Sequence, residues 1–168
     1  MAGFFSFPNP VNEKAARTVA AGVVALTVIT LITSHPIPLV LLTLGFWGRV
    51  LAGPRLSPLG WLAQRVIAPR FGLPNFVPGP PKRFAQGIGT VFTTTATILY
   101  FSGAETAAWV VLLILLVAAS LEAFVGFCLG CYIFGHLQNW GVIPASVCEA
   151  CNNISQRSQP SGSTPSSL

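Results

Sequence analysis

Charge is what this sequence has least of. Only 8% of its 168 residues are charged, while 52% are hydrophobic; a soluble domain carries about 25% charged residues. A surface made from this composition would not stay dissolved, so the expected solvent, and the first expected partner, is a lipid bilayer. The little charge present is mostly basic, with a net value of +5. It lies in short segments between apolar runs, as in the cytoplasmic loops of membrane proteins, so nucleic acid is not an expected partner. No Lys or Arg precedes Lys14, so the basic n-region of a secretory signal is missing. Residues 1–14 read instead as an interfacial N-terminal segment, with Asn12 a candidate helix cap and Glu13 in the first turn. Cysteine is sparse too. Four occur, all after residue 127, too few for a disulfide scaffold, and their spacing is the informative feature. Phosphate loop, dinucleotide fingerprint, catalytic triad and haem-attachment motif are all lacking.

What is abundant is apolar sequence in helix-length runs. A helix needs about 20 residues to cross the hydrocarbon core. Residues 15–33 make a first span, interrupted only by Arg17. Ser34-His35-Pro36-Ile37-Pro38 forces a tight reversal, with His35 a solvated turn residue. Residues 37–52 make a second, short span in which Arg49 snorkels to the interface and Gly45 and Gly48 offer a small face for helix contact. The Pro-rich stretch 53–83 follows; within it, 59–67 reads as a short amphipathic helix lying in the interface, with Trp61, Leu62, Val66 and Ile67 toward lipid. A third span, 84–101, carries Thr93-Thr94-Thr95, which bond their own helix backbone or a neighbour. Ser102-Gly103 turns the chain into a fourth span at about 107–127. Its apolar character runs on through Cys131 toward Leu137, so its far end should protrude or bend along the surface. The tail, 138–168, is disordered from about residue 152 by composition. The expected fold is therefore all-α: a polytopic integral membrane bundle of four transmembrane helices in residues 15–137, with a short interfacial helix between spans two and three. The basic residues put both termini and the long loop on the cytoplasmic side.

The chemistry-bearing residues cluster between Glu122 and His136. Cys128 and Cys131 form a C-x-x-C. Read on one continuous helix, they share a face and suit a reversible dithiol, because such thiols can be activated; against this, cysteine is also a small hydrophobe of buried helices. A second C-x-x-C, Cys148 and Cys151, completes a spacing that reads as a four-thiolate zinc site. A dithiol relay between the two pairs is the other active reading, and in the reducing cytosol its disulfides would be transient. Glu122 is the one acid inside an apolar run, and intramembrane carboxylates are functional candidates. It can accept a proton near the thiols, pair with an arginine such as Arg49, or bond a neighbouring helix when protonated. On a continuous helix it lies about 240° round from Cys128, which argues against direct action on that thiol. His136 lies about 80° round from Cys128 and can ligate or titrate, though a water-bonded interface histidine is the plainer role. Gly126 and Gly130 form a G-x-x-x-G, implying tight helix packing within the bundle or in a dimer; the bundle is favoured. The arginine-rich loop can meet an anionic substrate such as a sulfur oxyanion, or simply lipid headgroups.

The segments Pro80-Pro81-Lys82-Arg83-Phe84-Ala85-Gln86-Gly87-Ile88-Gly89 and Gly126-Phe127-Cys128-Leu129-Gly130-Cys131, together with Ala68-Pro69-Arg70, make the chain over roughly residues 8–137 resemble a family of small, uncharacterised bacterial four-span membrane proteins. That resemblance implies a multi-pass protein of the bacterial inner membrane. Members often lie beside genes for thioredoxin-like proteins and rhodanese-type sulfurtransferases, so it also implies a thiol or sulfur-transfer role with such a cytoplasmic partner. Cys128 and Cys131 match the family's motif; Cys148 and Cys151 lie outside it.

The lead expectation is thus a membrane protein of thiol redox or sulfur transfer acting through Cys128 and Cys131, with Glu122 and His136 in support and no cofactor. Whether it is an enzyme stays open. One alternative is a non-enzymatic scaffold or accessory subunit, with or without zinc on Cys128, Cys131, Cys148 and Cys151. Another is a small transporter subunit for a sulfur-containing anion, resting on Glu122 and Thr93–Thr95.

Overall fold

The structure, a computed structural model, describes residues 10–53, 57–67, 70 and 75–147. It is all-α, with six α-helices: α1 (Glu13–Thr33), α2 (Pro36–Ala52), α3 (Pro58–Leu62), α4 (Gly79–Phe101), α5 (Glu105–Ser120) and α6 (Leu129–Asn139). Two helical segments are long and apolar enough to cross a membrane: α1, and α5 together with the π-helical turn Leu121–Val125 that continues it, Glu105–Val125. α2 is a shorter apolar helix.

Local chemistry sets the ends of these helices. Asn12 caps α1 by accepting from the Lys14 amide, and Glu13 stands in the first turn. Ser34 leaves α1 in the left-handed region (φ 49°). One residue later His35 caps α2, its Nδ1 accepting from the Ile37 amide, while Pro36 supplies the fixed φ of a first turn. α4 begins at Gly79, earlier than the apolar run alone indicates, because Pro80 and Pro81 preset its first turn. The segment expected to lie in the interface divides into α3, capped by Ser57, and a π-helical turn, Ala63–Ile67; Trp61 and Leu62 are exposed on it.

α1 packs against α2 and α5, and α4 packs against the same two helices, closing a four-helix ring. A two-stranded antiparallel ribbon, β1 (Val11–Asn12) with β2 (Phe76–Val77), pairs Val11 with Val77 and so ties the starts of α1 and α4 together. The beginnings of α1 and α4 and the ends of α2 and α5 therefore meet at one end of the ring. The core between the helices holds Val23, Leu39, Leu42, Phe46, Ala96, Leu112, Leu115 and Ala119.

The threonine side chains of this interior are satisfied within it. Thr27, Thr30, Thr93 and Thr97 each donate to the carbonyl one turn back. Thr43 bridges to Thr97 Oγ1 at 2.9 Å, and Trp47 Nε1 donates to Thr94 Oγ1 at 3.1 Å, so threonine serves both its own helix and a neighbour. The outer surface has the opposite character: Ile32, Leu41, Leu44, Val91, Ile98, Leu113, Ile114 and Val117 are all exposed. Close approach between helices depends on glycine. A Cβ on Gly89 would lie 2.2 Å from the Phe46 ring, so α4 reaches α2 only because that position has no side chain.

Candidate functional site

The fourth apolar run does not stay a single helix. α5 gives way to the π-helical turn, and Gly126 then takes the left-handed conformation (φ 77°), which glycine adopts without the Cβ penalty. The chain restarts as α6 at Leu129, with Cys128 as its N-cap: Cys128 Sγ accepts from the Cys131 amide at 3.3 Å. This corrects two expectations. Cys128 and Cys131 are not neighbours on one face of a continuous helix; one caps a helix and the other stands in its first turn. The 240° separation of Glu122 from Cys128 therefore does not apply, since the helix axis is interrupted between them; Cys128 and His136 still belong to one helix, α6 and its cap. The bend expected at the far end is located here.

The two cysteines are disulfide-bonded to each other, their Cα atoms 5.2 Å apart. Both are half-buried. Cys148 and Cys151 lie outside the described residues, and so does the four-thiolate site they would complete. Among the described residues, no three His, Cys, Asp or Glu side chains come together.

Two contacts hold the bend in place. Arg17, on α1, donates from Nε and Nη2 to the Ala123 carbonyl (3.3 and 3.2 Å) and from Nη2 to the Phe124 carbonyl at 3.0 Å. It thereby occupies acceptors that the ending helix leaves unpaired. On the other side Gly130 lies against α4, where a Cβ would come within 2.5 Å of Ala85 Cβ, and Phe134 meets Phe84 edge-on with centroids 5.6 Å apart. The G-x-x-x-G is thus not one packing face: Gly126 makes the break and Gly130 makes the close contact.

Glu122 is bonded by Lys82, whose Nζ lies 2.7 Å from Oε1, with side chains only 9% (Lys82) and 16% (Glu122) exposed. Its hydrogen-bonded partner is this lysine and not Arg49. Arg49 does not snorkel either. It is 3% exposed, donating to Gln86 Oε1 at 2.9 Å and Ser57 Oγ at 3.1 Å, with its guanidinium carbon 4.2 Å from the Phe46 ring centre. Burial is feasible because Ser57 and Gln86 replace water at two of its nitrogens. His136 is exposed and stacks edge-on to Tyr132, centroids 4.5 Å apart.

Glu122 and Cys128 line the same groove, whose other walls include Val23, Phe46, Leu115 and Ile133; His136 is not among its lining residues. The structure thus brings together the carboxylate, the first thiol position and Gln86 of α4, and leaves the histidine outside. Lys82, Arg17, Ser57 and Gln86 are site residues the sequence did not single out. A signal existed for one pair: Lys82 and Gln86 stand four apart, the spacing at which two side chains share a helix face.

Neither a curated protein nor a solved structure matches the chain. A family match spans residues 11–139, and the chain belongs to the family described as a domain of unknown function, DUF4395.

Proposed function

We propose that the chain is a four-span protein of the bacterial inner membrane in which Cys128 and Cys131 form a thiol–disulfide couple at the cytoplasmic face. The observation that carries the redox part is the position of Cys128. It caps a helix of eleven residues and lies within bonding reach of Cys131. A helix N-terminus stabilises negative charge, so a thiolate released at Cys128 is favoured there, and thiolate is the reactive form.

The membrane part is supported by the apolar outer faces of α2 and α4 beside those of α1 and α5. The 17 residues of α2 rise about 26 Å, close to the thickness of a hydrocarbon core. The gathering of the basic loop and the C-x-x-C at one end of the ring supports the cytoplasmic assignment.

The exchange balances without a cofactor. A thiolate of a reduced partner dithiol, of the thioredoxin-like kind, attacks one sulfur of the Cys128–Cys131 disulfide. A mixed disulfide forms and the other cysteine leaves as thiolate. The partner's second thiolate breaks the mixed bond, so two electrons pass to this chain and the partner leaves oxidised. In reverse, the Cys128–Cys131 dithiol reduces an oxidised partner.

The test is equilibration of the purified full chain with a thioredoxin-like dithiol of known potential. Reversible transfer, with Cys131→Ser trapping a mixed disulfide through Cys128, is the expected result. A chain whose thiols never exchange refutes the redox reading. Cysteines introduced at Ser34 and Gly103 in a Cys-free background, labelled only from the periplasm, check the four-span topology.

A further inference from the structure

A second cavity shares Val19 and Gln86 with the disulfide groove. It holds about 40 Å³ and is lined by Arg49, Lys82, Gln64 and Gln86 together with Val11, small and apolar residues at the start of α1, and Gly53 and Gly60. One water needs roughly 10–15 Å³ of such space, so the cavity is larger than a single water site and too small for a nucleotide or a peptide.

Most of that lining is apolar, and the charged groups on it are buried. Arg49 is 3% exposed and its Nη2 is buried without a hydrogen-bond partner. The other two guanidinium nitrogens are held by Gln86 and Ser57, which fix the plane of the group. Lys82, also buried, is bonded to Glu122. Two cations therefore share one carboxylate, and that carboxylate's hydrogen bond goes to the lysine. A buried charge is costly unless paired, and a buried donor left unsatisfied costs its desolvation. Both deficits have the same remedy. A guanidinium presents its N–H groups in a fixed fork that matches oxyanions, and carboxamides such as Gln64 donate to the same ligands.

We propose that this cavity binds a compact tetrahedral oxyanion, of the sulfate or phosphate class, with Arg49 as its principal ligand and Lys82 and Gln64 completing the shell. The site stands whether or not Cys128 and Cys131 exchange electrons, because none of its ligands is a thiol. The same chemistry is offered by an inorganic anion and by the phosphate of a lipid headgroup, and the experiment separates them.

The experiment is titration of the purified full chain with sodium sulfate in phospholipid-free maltoside micelles, following thermal unfolding at ionic strength held constant with sodium chloride. A saturable rise in midpoint is expected, because a ligand that binds only the folded state stabilises it. Arg49→Gln should weaken sulfate binding by about tenfold or more, the loss of one charge-assisted fork. Should that variant fail to fold, Arg49→Lys keeps the charge without the fork, and Gln64→Leu removes one donor; each should weaken binding by about threefold or more, in line with one lost hydrogen bond. Nanodiscs of phosphatidylglycerol give the source. Competition there against sulfate identifies the headgroup phosphate, and undiminished affinity identifies a soluble anion; either outcome supports the site. No saturable shift beyond chloride in micelles, or sulfate affinity unchanged by both Arg49→Lys and Gln64→Leu, overturns it and leaves water as the partner of Nη2.

Discussion

Lys82 Nζ lies 2.7 Å from Glu122 Oε1 and so joins the first turn of α4 to the π-helical turn that ends α5. The ion pair ties the break before Cys128 to the helix that also carries Ala85 and Gln86. Removing one member strands the other charge in a nearly dry place, which costs about 3–5 kcal/mol for a fully buried pair and less for one still partly open to solvent. Lys82→Met and Glu122→Leu alone should each lower the unfolding midpoint in micelles. The double variant should recover part of that loss, giving a coupling of at least about 1 kcal/mol in a double-mutant cycle. Strict additivity would show that the two side chains do not interact.

Gly130 sets the distance between α6 and α4. Gly130→Ala forces a Cβ to within 2.5 Å of Ala85 Cβ, an overpacking that costs about 1–3 kcal/mol. Adding Ala85→Gly should restore little of the stability, because the Ala85 Cα stands 2.6 Å from the same position and remains. Gly135, on the same helix, has open space where a Cβ would stand, with nothing within 4 Å. Gly135→Ala should therefore be neutral or stabilising by up to about 1 kcal/mol. Unfolding of the three variants in denaturant checks the contrast.

Arg17 holds the bend from the α1 side. Arg17→Ala removes its hydrogen bonds to the Ala123 and Phe124 carbonyls, which should loosen the turn more than it lowers global stability. Hydrogen exchange should quicken at the amides of residues 126–131 while those of α1 and α4 stay protected. Uniform quickening would mean that the arginine supports the whole ring instead.

Gly126 carries the left-handed residue of the break at φ 77°. Gly126→Ala adds the penalty of about 1–2 kcal/mol for a Cβ in that conformation. If the break positions Cys128 as a cap, this variant should also change the rate at which the reduced cysteines react with a small disulfide. An unchanged rate alongside lowered stability would separate the fold of the bend from the behaviour of the thiol.

The helices were legible because their ends are written in strong local signals. Ser34-His35-Pro36 and Ser102-Gly103 break the chain whatever surrounds them, and Asn12 caps α1 by an interaction two residues long. The site was legible as a stretch but not as a geometry. Gly126 fits a helix-packing motif and a helix stop equally well, and only packing against Arg17 and α4 decides between them. Once the stop is chosen, the angle counted across it from Glu122 to Cys128 is void. The burial of Arg49 was illegible for a similar reason. Snorkelling and burial differ by whether partners arrive from elsewhere, and Ser57 and Gln86 come from segments eight and 37 residues away.

The central claim is that Cys128 and Cys131 cycle between thiol and disulfide in the cell. The most direct measurement is to quench living cells in acid, tag free thiols by mass before and after reduction, and count the tags on the protein. The account predicts a fraction carrying a Cys128–Cys131 disulfide, rising with oxidant and with loss of the reducing partner. Cysteines that stay reduced under every condition would contradict it.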